Sequence, residues 1–183
     1  MDLLHLRVHQ RQVAHQCSTA LQAVHLANLG LTTNDQEIFW ASIQNLLTAA
    51  ANISKACWGQ GGKLVEQRRP LRESLEVPED SPLANTDLRN HLEHYDERLD
   101  RWYETSQNKN HADFLIGPVG SIQGIVDTDV FRHFDPATGD VIFWGEHYSI
   151  PTLATAIGIL KPIAEREGRK PHWEPPKPTG SGQ

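Results

Sequence analysis

Apolar residues recur along much of this chain at intervals of three and four. Val13, Cys17, Ala20, Leu21 and Val24 share one face of a helix predicted over residues 8–29, with Gly30 where a C-cap belongs. Thr33-Asn34-Asp35-Gln36 then has the form of a capping box. Phe39, Ile43, Leu46, Ala50, Ile53 and Cys57 follow in alternating steps of four and three, which predicts a second helix. It ends before Gly59-Gln60-Gly61-Gly62, a loop and not a phosphate cradle, because no strand precedes it and no Gly-Lys-Ser/Thr closes it. A shorter helix is predicted over residues 70–75. Leu88, Leu92, Tyr95, Leu99 and Trp102 then form an amphipathic stripe over residues 81–104, starting at Ser81 or at Asn85.

Beyond residue 105 the period shortens. Residues 130–134 and 141–144 are rich in aromatic and β-branched side chains and flank Asp135-Pro136-Ala137-Thr138-Gly139-Asp140, which predicts a β-hairpin, with residues 147–150 as an optional third strand. A last helix runs from about Pro151 through Leu153, Ile157, Leu160 and Ala164 towards Gly168. Pro162 predicts a kink or an early end there, by its missing N–H and its clash with Gly158 one turn back. The fold class expected is mainly α: a four- to five-helix bundle with a small β-hairpin or three-stranded meander inserted before the last helix.

A length of 183 residues, 38% hydrophobic and 22% charged, supports one core and is short for two. A single domain is expected over residues 1–170, with the hairpin at about 129–150 as an elaboration. Residues 171–183, rich in proline with glycine and serine, are read as a disordered tail. No apolar run approaches the roughly 20 residues needed to span a bilayer, and the N-terminus is polar, so no membrane association and a cytoplasmic location are expected. The formal charge of −6 argues against broad electrostatic binding of a polyanion. Two cysteines cannot build a four-thiolate zinc site. With the interhelical turn at Gly30, Cys17 and Cys57 would be offset by roughly 21 Å, too far for a disulfide.

The residues able to carry chemistry cluster on the 81–104 segment, in Arg89-Asn90-His91-Leu92-Glu93-His94. On a continuous helix Arg89 and His94 are about 140° apart, with Asn90 and Glu93 between them, on the side away from the stripe. A permanent guanidinium beside a group that titrates near neutrality suits phosphoryl chemistry on RNA. The plain alternative is an Arg89–Glu93 ion pair beside an exposed His94. Arg68, Arg69 and Arg72 form the most basic stretch, able either to face phosphate or to pair with Glu66, Glu73 and Glu76. Asp87, His91 and His94, or His5 and His9, have metal-ligand spacing. No repeated Glu-x-x-His pattern accompanies them, so no metal or other cofactor is expected. Trp144, His147 and His133 could line a ligand pocket, against the commoner reading as packing.

Arg89-Asn90-x-x-x-His94 on a late helix of a small bundle resembles the Arg-x4-6-His motif of the HEPN superfamily, over roughly residues 8–105. The resemblance implies a metal-independent endoribonuclease of the toxin–antitoxin or defence kind. It implies a homodimer in which two copies of Arg89 and His94 share one cleft, with RNA or a nucleotide as ligand and an antitoxin protein as a further partner. In that reading His94 moves protons, Arg89 stabilises the phosphate and Asn90 orients one of them, while Arg68, Arg69, Arg72 and Glu93 are candidate substrate-binding residues. Tyr95, immediately after His94, lies on the apolar stripe and is read as core. The acidic residues Glu93, Asp96, Glu97 and Asp100 near the motif would repel RNA unless paired with Arg98, Arg101 or the Arg68–Arg72 stretch. The rival reading is a non-catalytic HEPN-like module that binds a nucleotide, RNA or a protein.

Overall fold

The computed structural model describes residues 1–59, 62–85 and 87–173, and the side chains of all of these except Leu88 and Arg89. Asp2 caps the first helix by accepting the His5 N–H at 2.8 Å. Helix α1 (Leu3–Thr33) then runs 31 residues to Asn34, whose left-handed backbone ends it. Gly30 is therefore not the C-cap. It lies inside the helix at its closest approach to α2 (Gln36–Trp58): a Cβ there would sit 2.6 Å from the Phe39 nitrogen and 2.9 Å from the Asp35 carbonyl oxygen. Asp35 caps α2 through the Ile38 N–H.

Moving the turn to residues 34–35 also corrects the cysteine geometry. Cys17 and Cys57 are offset by about five residues, roughly 8 Å, and not 21 Å. Both are buried free thiols in the same cluster, and burial pushes each up to about 12.

Helix α3 (Lys63–Ser74) begins well before the expected residue 70, with Pro70 in its interior. Pro70 and Glu66 are both exposed, so the carbonyl deprived of its helical donor stays within reach of solvent. The predicted 81–104 helix is three elements. Ser81 caps a 3₁₀ turn (Pro82–Ala84), and the Asn85 side chain accepts the Asp87 N–H at 2.7 Å. Then come α4 (Asp87–Glu93) and α5 (Tyr95–Thr105). Ser81 and Asn85 thus both act as starts, of different elements.

The sheet has the order β1 (Leu115–Ile116), β2 (His133–Asp135), β3 (Asp140–Phe143), β4 (Glu146–Ser149). The predicted meander is β2–β4, antiparallel throughout, and β1 adds a parallel edge by pairing Leu115 with His133. The β3–β4 turn places Trp144 and Gly145 both at positive φ, the conformation a two-residue hairpin turn demands. Helix α6 (Ile150–Gly168) does not end early at Pro162 but continues to Gly168, and the carbonyl Pro162 leaves without a helical donor is that of exposed Gly158. Residues 174–183 of the expected tail lie outside the described residues.

The molecule is mainly helical with this one small sheet, and it has two cores. Val13, Cys17, Leu46, Ile53, Leu71 and Leu160 are among the side chains that join α1, α2, α3 and α6. Phe39, Trp40, Ile43, Trp102, Phe131 and Phe143 join the first half of α2 to α5 and the sheet. Helix α2 belongs to both. No described helix is long and apolar enough to cross a membrane.

Gly30→Ala tests the close approach. Alanine is favoured over glycine in a helix by about 1 kcal/mol, yet here the added methyl meets backbone atoms that cannot rotate away. Denaturant unfolding is expected to show a net loss of about 1–3 kcal/mol.

Candidate functional site

His94 stands at the joint between α4 and α5, with φ −105° and ψ 36°. The hydrogen bonds across it survive: its N–H donates to the Asn90 carbonyl at 3.0 Å, and its own carbonyl accepts the Arg98 N–H at 3.1 Å. The joint is a bend and not a break in the chain of bonds, so the 140° estimate for a continuous helix does not apply. The His94 side chain is half exposed, and its Nδ1 lies 3.0 Å from Glu97 Oε1. That contact orients the ring and leaves Nε2 as the nitrogen a substrate can reach. Asn90 and Glu93 of α4 each have interaction partners. Arg89 belongs to α4 by its backbone, one turn before His94, and its side chain lies outside the described residues.

Each side of the joint is anchored by an aromatic contact. On α4, His91 stacks on Phe143 with centroids 4.7 Å apart and planes at 13°. Its Nε2 is 3.4 Å from Glu146 Oε2, and its Nδ1 accepts from Arg98 Nε at 3.3 Å. Glu146 also accepts the Tyr148 hydroxyl at 2.6 Å, and these two partners hold its carboxyl below the usual range. On α5, Tyr95 packs 5.3 Å from Phe131, as its place on the stripe predicts, and its hydroxyl donates to Asp113 at 2.7 Å. Sequence reasoning missed His91 as an anchor, although it lies three residues after Leu88 and four before Tyr95 and so belongs on the stripe. Leu99, assigned to the stripe, is exposed.

The arginines of α5 that could neutralise its acidic residues are engaged elsewhere. Arg98 serves His91, and Arg101 lies 5.8 Å over the Trp144 ring. Among the described residues, Asp96, Glu97 and Asp100 have no ion pair to arginine, and Glu97 pairs with His94.

The basic stretch is divided between structure and surface. Arg72 is 2% exposed and donates to the Cys57 carbonyl at 2.7 Å, the Val65 carbonyl at 2.8 Å and Glu79 at 3.0 Å. It clamps the end of α2 to the start of α3 and is not turned to a ligand. Arg69 pairs with Glu66, the local pairing weighed from the sequence. Arg68 bonds His9, which also meets His5 at 2.9 Å. Burial first, then Arg68 and His5, hold His9 below its usual value. Helix α3 packs on α1 and α2, and α4 on α2 and α5, so both candidate regions rest on α2.

The other candidates separate too. His133 is buried, with Nε2 2.7 Å from the Gly117 carbonyl, and His147 pairs with Asp140 at 3.1 Å. Both line a cavity of about 150 Å³ that excludes Trp144. No group of three or more His, Cys, Asp or Glu among the described residues could hold a metal ion.

Asp113 is the electrostatic centre between α5 and the sheet. Besides Tyr95 it receives Arg132 through Nε at 2.7 Å and through a second nitrogen, and the Phe114 N–H at 2.9 Å. Burial works against its ionisation, but Arg132 and Tyr95 outweigh burial and hold it below the ordinary carboxylate value. Burial and the same hydrogen bond push the Tyr95 phenol up.

Comparison with protein families, with curated proteins and with solved structures finds no match to this chain.

Two predictions separate structure from binding. Arg72→Met is expected to destabilise by about 2–4 kcal/mol, because the Cys57 carbonyl loses a buried donor and the Val65 carbonyl a partly buried one, whereas Arg69→Gln stays within about 0.5 kcal/mol; chemical denaturation of both variants checks this. A depressed folded-state value makes the Asp113 contribution fully present above the unfolded value near 3.9 and lost as pH falls through the folded value. Asp113→Asn is therefore expected to cost about 3 kcal/mol at pH 7, with the gap to wild type closing below about pH 4.

Proposed function

We propose that this chain is a HEPN-like, metal-independent endoribonuclease acting as a homodimer, with His94 as its proton-transfer group. The observation that carries this reading is the His94–Glu97 pair: an accessible imidazole, oriented by a carboxylate at a helix joint, one turn beyond Arg89 and Asn90. A general base needs an exposed, correctly turned nitrogen more than it needs burial.

In the proposed reaction the ribose 2′-hydroxyl attacks the adjacent phosphorus and the bond to the 5′-oxygen of the next nucleotide breaks. The products are a 2′,3′-cyclic phosphate and a 5′-hydroxyl. One imidazole takes the proton of the attacking hydroxyl and a protonated imidazole gives one to the leaving oxygen, so the step is proton-neutral overall. A homodimer with both joints at one cleft provides the two imidazoles. Arg89 stabilises the charge on phosphorus, and Asn90 orients the phosphate or the base by hydrogen bonding.

A second reading is favoured by one observation. Asp96, Glu97 and Asp100 lie exposed beside the motif without arginine partners among the described residues, a surface that repels phosphate and suits a non-catalytic module binding a basic protein.

Incubation of purified protein with single-stranded RNA, with and without EDTA, tests the proposal. Cleavage giving cyclic-phosphate ends is expected to survive EDTA and to fall about 10²–10⁴-fold in His94→Ala and by a comparable factor in Arg89→Ala. Unchanged cleavage in either variant, or no cleavage by the wild type, overturns the catalytic assignment in favour of the binding module.

A further inference from the structure

The histidines His5 and His9, whose spacing suits a metal, stand beside a third basic group that the cleavage reading does not use. Both imidazoles project from the first turns of α1, with ring centroids 4.7 Å apart and Nε2 atoms 2.9 Å apart. Arg68, from the middle of α3, brings a terminal guanidinium nitrogen against the Nε2 of His9. His5 is exposed, and His9 and Arg68 are half-buried. Side chains of two helices therefore converge on one partly open spot.

Their protons cannot all be satisfied. A neutral imidazole has one N–H and one lone pair, and a guanidinium only donates. If His9 Nε2 accepts from Arg68, its single lone pair is used, and His5 Nε2 faces it with a second lone pair or with an N–H that finds no acceptor. If His9 Nε2 instead donates to His5, the Arg68 N–H meets another N–H. Protonating either ring adds a donor and removes an acceptor. An oxygen with several lone pairs, set among the three groups, lets each of them donate.

The charge is unbalanced as well. Among the described residues Arg68 has no ion pair, while its helix neighbours Arg69 and Arg72 hold Glu66 and Glu79, and Asp2 is engaged in capping α1. The Nε of Arg68 is buried without a partner and out of a ligand's reach, so only the terminal nitrogens count towards binding. Arg68 thus keeps an uncompensated charge in a chain of formal charge −6.

These facts choose between ligand classes. Two imidazole nitrogens 2.9 Å apart have the bite of paired metal ligands, but a guanidinium fixed on one of them puts positive charge where the cation would sit. No group of three or more His, Cys, Asp or Glu among the described residues could hold a metal ion. A neutral ligand leaves Arg68 uncompensated. An oxyanion supplies both the missing acceptor and the missing charge, and the positive end of a 31-residue helix lies beside it. With donors on three side chains, a terminal phosphate with three free oxygens fits better than a diester with two. His5 is exposed, so its ring can turn to admit an oxygen without moving the backbone.

We infer that His5, His9 and Arg68 form a binding site for a terminal phosphate at the start of α1, in which Arg68 supplies the charge and the two imidazoles donate from Nε2. The site is built on α1 and α3, apart from His94, and operates whether or not that residue cuts RNA.

The test uses full-length His94→Ala protein, which leaves the dinucleotide UpU uncut, and follows the imidazole carbon–proton resonances of His5 and His9, assigned with His5→Gln and His9→Gln. At constant ionic strength, inorganic phosphate is expected to move both sets saturably, whereas chloride moves neither. UpU, which carries only a diester, is expected to bind about tenfold more weakly than uridine 5′-monophosphate. The monophosphate binding more tightly than inorganic phosphate would identify a nucleotide as the source, and binding no more tightly would identify the free ion. Arg68→Gln is expected to weaken phosphate binding by about tenfold or more. His5→Gln, at an exposed position, is expected to weaken it by about threefold to tenfold with an unchanged melting temperature. Resonances that phosphate leaves unmoved, an undiminished response in Arg68→Gln, or equal affinity for UpU and the monophosphate overturns the inference. A saturable response to zinc in place of phosphate overturns it too, in favour of a metal site.

Discussion

The packing around Phe131 is the contact that joins the sheet and α5 outside the four helices α1, α2, α3 and α6. Its ring is fully buried and lies within 4.6–6.0 Å of the ring centroids of His111, Tyr95, Phe143, Trp144 and Trp102. Those five side chains come from α5, from the segment before β1, and from the β3–β4 hairpin. None of these elements is long enough to be stable alone: β3 and β4 are four residues each and α5 is eleven. They hold their shape because one aromatic side chain gives each of them apolar surface to cover. The same cluster continues through Phe134 to Phe39 on α2, at 4.8 Å, and so attaches the whole sheet to the bundle.

An aromatic cluster fixes distance but tolerates rotation, and two carboxylates supply the missing orientation. Asp129 accepts the Trp102 indole N–H at 2.7 Å and the Ser106 hydroxyl at 2.6 Å, pinning the end of α5. Asp113 collects Tyr95 and Arg132, pinning its start. Both acids are removed from water, which disfavours their charge, and each is compensated by hydrogen bonds that bring particular side chains into register. The consequence reaches the surface. Because Tyr95 is fixed by Asp113, His94 beside it is presented at a defined place. Because Arg132 is fixed by the same carboxylate, Phe114 is held with its ring open. One half-buried carboxylate thus sets both the start of α5 beside His94 and the place of Arg132 on the sheet.

The long helices were legible in the sequence because their burial repeats at the period of the helix itself. Every residue of the Phe39–Cys57 series is buried, and α6 and β3–β4 follow the same logic. What failed to show was set by partners distant in sequence. Gly30 has the composition of a helix end, but its lack of a side chain serves the crossing with Phe39. The apolar stripe from Leu88 to Trp102 has one period but two anchors, His91 on Phe143 and Tyr95 on Phe131, so the helix bends at His94 between them. Arg72 reads as surface charge, yet it is buried by two backbone carbonyls that no periodicity announces. Strand β1 is too short to have a period. Of the candidate site, the residue types of the Arg89–His94 motif were plain, whereas Glu97 as the orienting carboxylate emerges only once the start of α5 at Tyr95 is known.

An acidic protein that binds RNA must do so by a route other than counterion release. With a formal charge of −6, and with Arg132, Arg98, Arg101, Arg69 and Arg72 committed to Asp113, His91, Trp144, Glu66 and backbone carbonyls, these five arginines are not set against phosphates. Affinity then has to come from base faces and base edges, which carry no net charge and are accessible only in single strands. The acidic surface of α5 sharpens that requirement, since exposed Asp96, Glu97 and Asp100 repel phosphate from the neighbourhood of His94 and leave the proposed RNA ligand to be held through its bases.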